Sequence, residues 1–148
     1  MRAVLREART TDAAACAAIL RDWAAETPWY PRSDPPEARE GAVAARMRQG
    51  LGIVAESDRI DGFILLEGGY VACLYVARGA RGKGLGARLL DAAKELRPAL
   101  LLWTHAANTG ARAFYEREGF VATGASDGAD NAERLPDIEY VWRQGETR

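Results

Sequence analysis

Six consecutive residues, Arg81-Gly82-Lys83-Gly84-Leu85-Gly86, set glycines at alternate positions where a β-forming run, 70–76, gives way to a helical pattern. Missing side chains let backbone N–H groups converge on an anion. The first N–H groups of a helix have no partner within it, and its dipole adds partial positive charge. Arg81 and Lys83 add formal charge. A diphosphate suits such a concavity, although the same glycines would also serve a tight turn alone. Two nucleotide motifs fail on spacing. A P-loop needs G-x-x-x-x-G-K-[ST], but Gly79 and Gly84 are followed by Leu85 and Gly86. A dinucleotide fingerprint needs G-x-G-x-x-G with an acidic residue ending the next strand; here the run is G-x-G-x-G and that strand ends Thr104-His105.

Other reactive side chains are sparse. His105, the only histidine, follows the apolar run 100–104; acid–base use is open there, and a structural polar role is favoured. Without a second histidine or clustered ligands no metal site is expected. Cys16 and Cys73 sit far apart in apolar surroundings and read as buried thiols. An apolar strand raises a thiol's pKa, so Cys73 is read as core and not as an acyl-enzyme nucleophile.

Elements that would position these residues follow from periodicity. Val4 and Leu5 begin a strand, Thr10-Thr11-Asp12 offer an N-cap, and Ala15, Cys16, Ile19, Leu20 and Trp23 stripe a helix reaching about residue 25. A rigid loop, 27–36, holds four of the six prolines with Trp29 and Tyr30, and a surface helix over 37–49 follows. Runs 53–55 and 63–66 flank a turn as a hairpin, and 70–76 adds a third antiparallel strand. Leu85, Leu89, Leu90, Ala93 and Leu96 stripe a helix stopped by Pro98. A right-handed crossover then sets 100–104 parallel to 70–76, buried on both faces. A helix over 108–118 stops at Gly119, and strands at 120–123 and 138–142 close the sheet around a polar loop, 124–136.

At 148 residues, 48% hydrophobic and 28% charged, the chain fits a single domain over 1–148. A net charge of -1 argues against a nucleic-acid or membrane partner. With no apolar leader or membrane-length run, the cytoplasm is the expected location.

Arg81, Gly84 and Gly86 fit [QR]-x-x-G-x-[GA], and Asn108-x-x-Ala111-x-x-Phe114-Tyr115-x-x-x-Gly119-Phe120 fits a second signature of the same family. On both motifs the chain resembles the GCN5-related N-acetyltransferases (GNAT). The resemblance implies an α/β (α+β) fold: a mixed, mostly antiparallel central sheet flanked by helices, with a parallel strand-helix-strand unit at the acyl-CoA site. It implies acetyl-CoA as co-substrate, with Arg81, Gly82, Lys83, Gly84, Leu85 and Gly86 on the pyrophosphate. Leu74, Tyr75 and Val76 would meet the pantetheine arm as a pseudo-strand, Asn108 would cap its helix or hold that arm, and the next parallel strand would splay away.

Tyr115 matches the family's general acid, a phenol that protonates the leaving thiolate; by spacing alone it would be a core aromatic. The general base has only weak candidates in Glu67, Glu133 and Glu139. The acceptor is a small-molecule or peptide amine, met by Trp29, Tyr30, Arg32 and the 124–136 loop with Asp127 or Asp130. A homodimer is compatible with the resemblance. A catalytically silent acetyl-CoA-binding domain is the alternative function, disfavoured by the intact motif residues.

Overall fold

The computed structural model describes residues 2–31, 36–131 and 133–145, and joins seven strands into one sheet. Strands β1 (Val4–Glu7), β2 (Leu51–Glu56), β3 (Ile60–Glu67) and β4 (Tyr70–Val76) form an antiparallel run. β5 (Ala99–His105) lies parallel to β4, and β7 (Asp137–Arg143) inserts between β5 and β6 (Val121–Ser126), antiparallel to both. The order is β1-β2-β3-β4-β5-β7-β6. This mixed, mostly antiparallel sheet with one parallel pair is the fold the resemblance implies.

Helices cover both faces. α3 (Leu85–Leu96) buries Leu85, Leu89, Leu90 and Ala93 against Ile64, Leu66, Leu100 and Leu102. Fully buried leucines such as Leu89 and Leu90 each contribute about 2 kcal/mol. α4 (Thr109–Arg117) adds Tyr115 to the same core. On the opposite face, α1 (Ala13–Ala25) and α2 (Pro36–Gln49) enclose Cys16, Ile19, Val43, Val54, Phe63 and Leu65. As expected from its thin apolar content, α2 lies near the surface.

Two local readings are corrected. Asp12 does not cap α1 with its side chain; its carboxylate accepts the Arg9 N–H at 2.8 Å and two Arg6 guanidinium bonds at 2.9 and 3.0 Å. Arg6 Nε also donates to Glu56 at 2.8 Å, so one guanidinium ties β1, β2 and the entry to α1. Second, β5 is not buried on both faces. Leu100 and Leu102 point into the α3 side, but on the other face Trp103 is 39% exposed. The apolar run 100–102 hid the alternation of buried and less buried positions that β5 shows from Ala99 to Trp103.

Candidate active site

The site begins with an extra residue. β3 and β4 pair Leu65 with Cys73 and Leu66 with Val71, which leaves Ala72 as a bulge in β4. A bulge bends its strand and increases the local twist. Val71, Leu74 and Val76 pack on the α3 side, whereas Ala72, Cys73 and Tyr75 pack on the α1 side. On its other edge β4 separates from β5. Among the described residues the two strands share the register pair Tyr70↔Leu101 and the Leu101 N–H to Gly69 carbonyl bond of 2.9 Å. Past that point they leave a gap of about 230 Å3.

Leu74, Tyr75 and Val76 line one wall of the gap, with Leu102, Trp103 and Thr104 across it and Asn108 and Tyr115 at its α4 side. Tyr115 is 8% exposed and wedged among Phe114, Phe120 and Tyr140, ring centroids 5.2–6.3 Å away. Its hydroxyl makes no hydrogen bond among the described residues. Burial pushes the phenol well above its ordinary pKa, so it keeps its proton at neutral pH. Asn108 Oδ1 accepts the Ala111 N–H at 3.1 Å and caps α4, while the residue also borders the gap.

The glycine loop opens into a second cleft, about 350 Å3, lined by Gly82, Gly84, Leu85, Gly86 and Ala87 with Phe114 and Arg117. Gly82 and Gly84 adopt φ of 78° and 79°, a left-handed backbone that side chains disfavour. Gly84 stands at the N-cap of α3 and supplies no capping side chain, so the first N–H groups of that helix are left to the cleft. Leu85 is a core anchor, and Gly86 lies against the Phe114 ring, where a Cβ would make ordinary contact at 3.5 Å.

The two cations of the motif behave differently from simple phosphate clamps. Arg81 Nε donates to the Val76 carbonyl at 3.0 Å and its guanidinium pairs with Glu26, which places it between the gap and the glycine cleft. Lys83 borders a separate hollow with Arg2, Asp61 and Arg88. Arg117, unremarked in the sequence, lines the glycine cleft from α4 with its guanidinium over Phe114 at 5.7 Å. Its position one turn after the aromatic pair was the available signal.

On the α1 side the gap opens into a larger cavity of about 630 Å3. Trp23, Ala72, Cys73, Tyr75, Trp103, Thr104 and Asn108 border both spaces. Cys73 therefore packs against the α1-side core and also walls the gap, whereas Cys16 is fully buried. Burial pushes the Cys73 thiol up to about 11.

Tyr30, Asp130, Glu133 and His105 also line the larger cavity. Trp29 and Tyr30 pack against His105 with ring centroids 5.4 and 5.8 Å away. Asp127 instead closes a turn, accepting the Ala129 N–H at 2.9 Å, and Arg32 lies outside the described residues. Of the base candidates, Glu67 pairs with Arg46 and Glu139 accepts the Thr123 hydroxyl at 2.8 Å; Glu133 alone borders the cavity. Among the described residues no three His, Cys, Asp or Glu side chains gather as a metal site, and no helix is long and apolar enough to cross a membrane.

Residues 45–122 match the Acetyltransferase (GNAT) domain. The chain belongs to the GNAT family. The match takes in the bulged strand, the glycine loop, the gap and Tyr115, which are the parts that define the site. Among curated relatives, the peptidyl-lysine N-acetyltransferase YjaB of Salmonella typhimurium is 33% identical over 60% of this chain and 61% of its own length. The peptidyl-lysine N-acetyltransferase YiaC of Escherichia coli is 28% identical over 79% of this chain and 82% of its own. The apo form of Escherichia coli YjaB superposes with a TM-score of 0.79 at 24% identity, covering 96% of this chain and 98% of that one. YncA of Salmonella typhimurium, solved with its cofactor acetyl-CoA, gives 0.73 at 20% identity over 100% and 97%. Both structural likenesses establish the GNAT fold.

Proposed function

We propose that the chain is an acetyl-CoA-dependent N-acetyltransferase, a single domain over 1–148, acting by direct transfer on a primary amine of a small molecule or peptide. The observation that carries this reading is the gap between β4 and β5, which joins a glycine-lined cleft on one side to an aromatic and acidic cavity on the other. Donor and acceptor would enter from opposite sides and meet beside Tyr115. Holding two reactants in line supplies a large share of a transfer reaction's acceleration. The N–H groups of 82–87 suit the pyrophosphate, and the β5-facing edge of β4 around Leu74 suits the amides of the pantetheine arm, with Arg81 already on the Val76 carbonyl.

Chemically, the amine's lone pair adds to the thioester carbonyl carbon and forms a tetrahedral intermediate. Its collapse breaks the C–S bond, and the electron pair leaves on sulfur. The Tyr115 hydroxyl protonates that sulfur, and the phenolate recovers a proton from the new N–H+ group. Cys73 takes no covalent part, since its thiol stays protonated at neutral pH.

The relatives named for peptidyl-lysine make a lysine ε-amine the first acceptor to test. A thiol-release assay with acetyl-CoA and a panel of lysine peptides, peptide N-termini and small amines tests the function. Amine-dependent thiol release is expected. Tight acetyl-CoA binding with no release across the panel would support a silent binding domain instead.

A further inference from the structure

We infer that His105, paired with Glu133, is the base that removes the proton from the acceptor's ammonium group. The inference rests on the acetyltransfer reading above and assigns its missing proton acceptor. β5 brings His105 to the face opposite α3, two residues after Trp103 on the same side of the strand, beside the larger cavity. Thr104, its neighbour, borders both that cavity and the gap, so the imidazole stands at the acceptor's approach to the thioester.

Three observations separate His105 from an ordinary packed histidine. Its Nε2 lies 3.7 Å from Glu133 Oε1, so a carboxylate stands ready to stabilise the imidazolium. Its Nδ1 is buried with no hydrogen-bond partner among the described residues. Buried polar nitrogens without partners are rare and costly in folded proteins, so the ring is held here at a cost, and Nε2, the nitrogen beside Glu133, is the one left to exchange a proton. Third, Trp29 and Tyr30 pack against the ring with centroids 5.4 and 5.8 Å away, shielding it from bulk water.

Other charged groups around the ring fit that task. Asp137, opposite His105 in the β5–β7 register, accepts the Ser126 hydroxyl; Asp130 lines the cavity from the loop before β7. Arg39 and Arg46 lie on the α2 wall, with Arg46 held by Glu67. Tyr30 is the titratable group facing the ring from the turn after α1. Glu133 and Asp137 thus place carboxylates beside the histidine, which suits an ammonium entering toward His105.

The proton balance closes. R–NH3+ passes one proton to the His105 imidazole and becomes R–NH2, whose lone pair forms the N–C bond. The second N–H proton returns to the Tyr115 phenolate after that group has protonated the thiolate. His105 finally releases its proton to water, so the net products are the amide, the thiol and one proton.

The full-length chain and its His105→Gln, His105→Ala and Glu133→Gln variants are assayed with acetyl-CoA against two acceptors. One is a lysine peptide, charged at neutral pH; the other is a hydrazide or an aromatic amine, uncharged there. For the lysine peptide, kcat falls about 100-fold in the His105 variants and less in Glu133→Gln, the usual scale for loss of a general base. The same variants keep most activity on the uncharged amine, regain activity on lysine as pH rises, and bind acetyl-CoA as the parent does. Equal losses on both acceptors, or an unchanged pH profile, would overturn the assignment in favour of a packing role. Absence of turnover in the parent with every amine would instead overturn the acetyltransfer reading, a distinguishable result.

Discussion

Replacing Tyr115 by Phe removes one hydroxyl from a ring held among three other aromatics. Packing is conserved, so the change reports on the proton alone. We expect kcat to fall roughly 100- to 10,000-fold with little change in acetyl-CoA affinity, measured by thiol release and calorimetry; an unchanged kcat would remove the general-acid role. Cys73 gives the opposite expectation. With its thiol raised to about 11, only about one molecule in a thousand is ionised at pH 8. Cys73→Ala therefore keeps its turnover, and alkylation of the parent is slow in a timed iodoacetamide assay. Tyr115 was legible in the sequence through its motif. The position of His105 was not, because its importance comes from Glu133, Trp29 and Tyr30, which only folding brings to it.

Strand β4 and the N-terminus of α3 show how far a pattern of residues reveals an element. The bounds 70–76 and the helix start at Leu85 follow from β-propensity and apolar spacing, and both are observed. The Ala72 bulge has no such signature, since it is a relation between β3 and β4 and alanine accepts either side of a strand. The glycine loop yields a test of backbone geometry. Gly84→Ala meets no steric neighbour, but must hold φ near 79°, a cost of about 1–2 kcal/mol. A lower melting temperature and at least tenfold weaker acetyl-CoA binding by calorimetry are expected.

The Arg6–Asp12 tie acts through pH. Arg6 holds the Asp12 carboxyl below its ordinary value of 3.8, so its stabilisation is complete above that pH and drains away as pH falls through the lower folded value. Asp12→Asn should cost about 2 kcal/mol near neutrality, read by urea unfolding, with parent and variant converging at low pH. The sequence offered Asp12 only as a cap, because its partner Arg6 is set by the pairing of β1 with β2, which also brings Glu56 to the same guanidinium.

Across the whole molecule, two helical layers and one sheet leave a seam where β4 and β5 part, and the three cavities lie along it. A ligand that bridges the seam should stabilise the fold as a unit. Acetyl-CoA at a hundred times its Kd contributes about 2.7 kcal/mol, a rise of roughly 5–10 °C in melting temperature by scanning calorimetry. The fold class was readable because turn residues and periodicity agree along most of the chain. The larger cavity was not, since it draws on α1 and Tyr30 after it, α2, β4, the end of β5 and the stretches 126–131 and 133–137, which share no pattern. A crystal structure of the chain with acetyl-CoA tests the account most directly. It predicts the pyrophosphate on the N–H groups of 82–87, the pantetheine along Leu74–Val76, and the thioester sulfur within hydrogen-bond reach of the Tyr115 hydroxyl. Acetyl-CoA bound elsewhere, or a sulfur turned away from Tyr115 and closed off from the larger cavity, would contradict it.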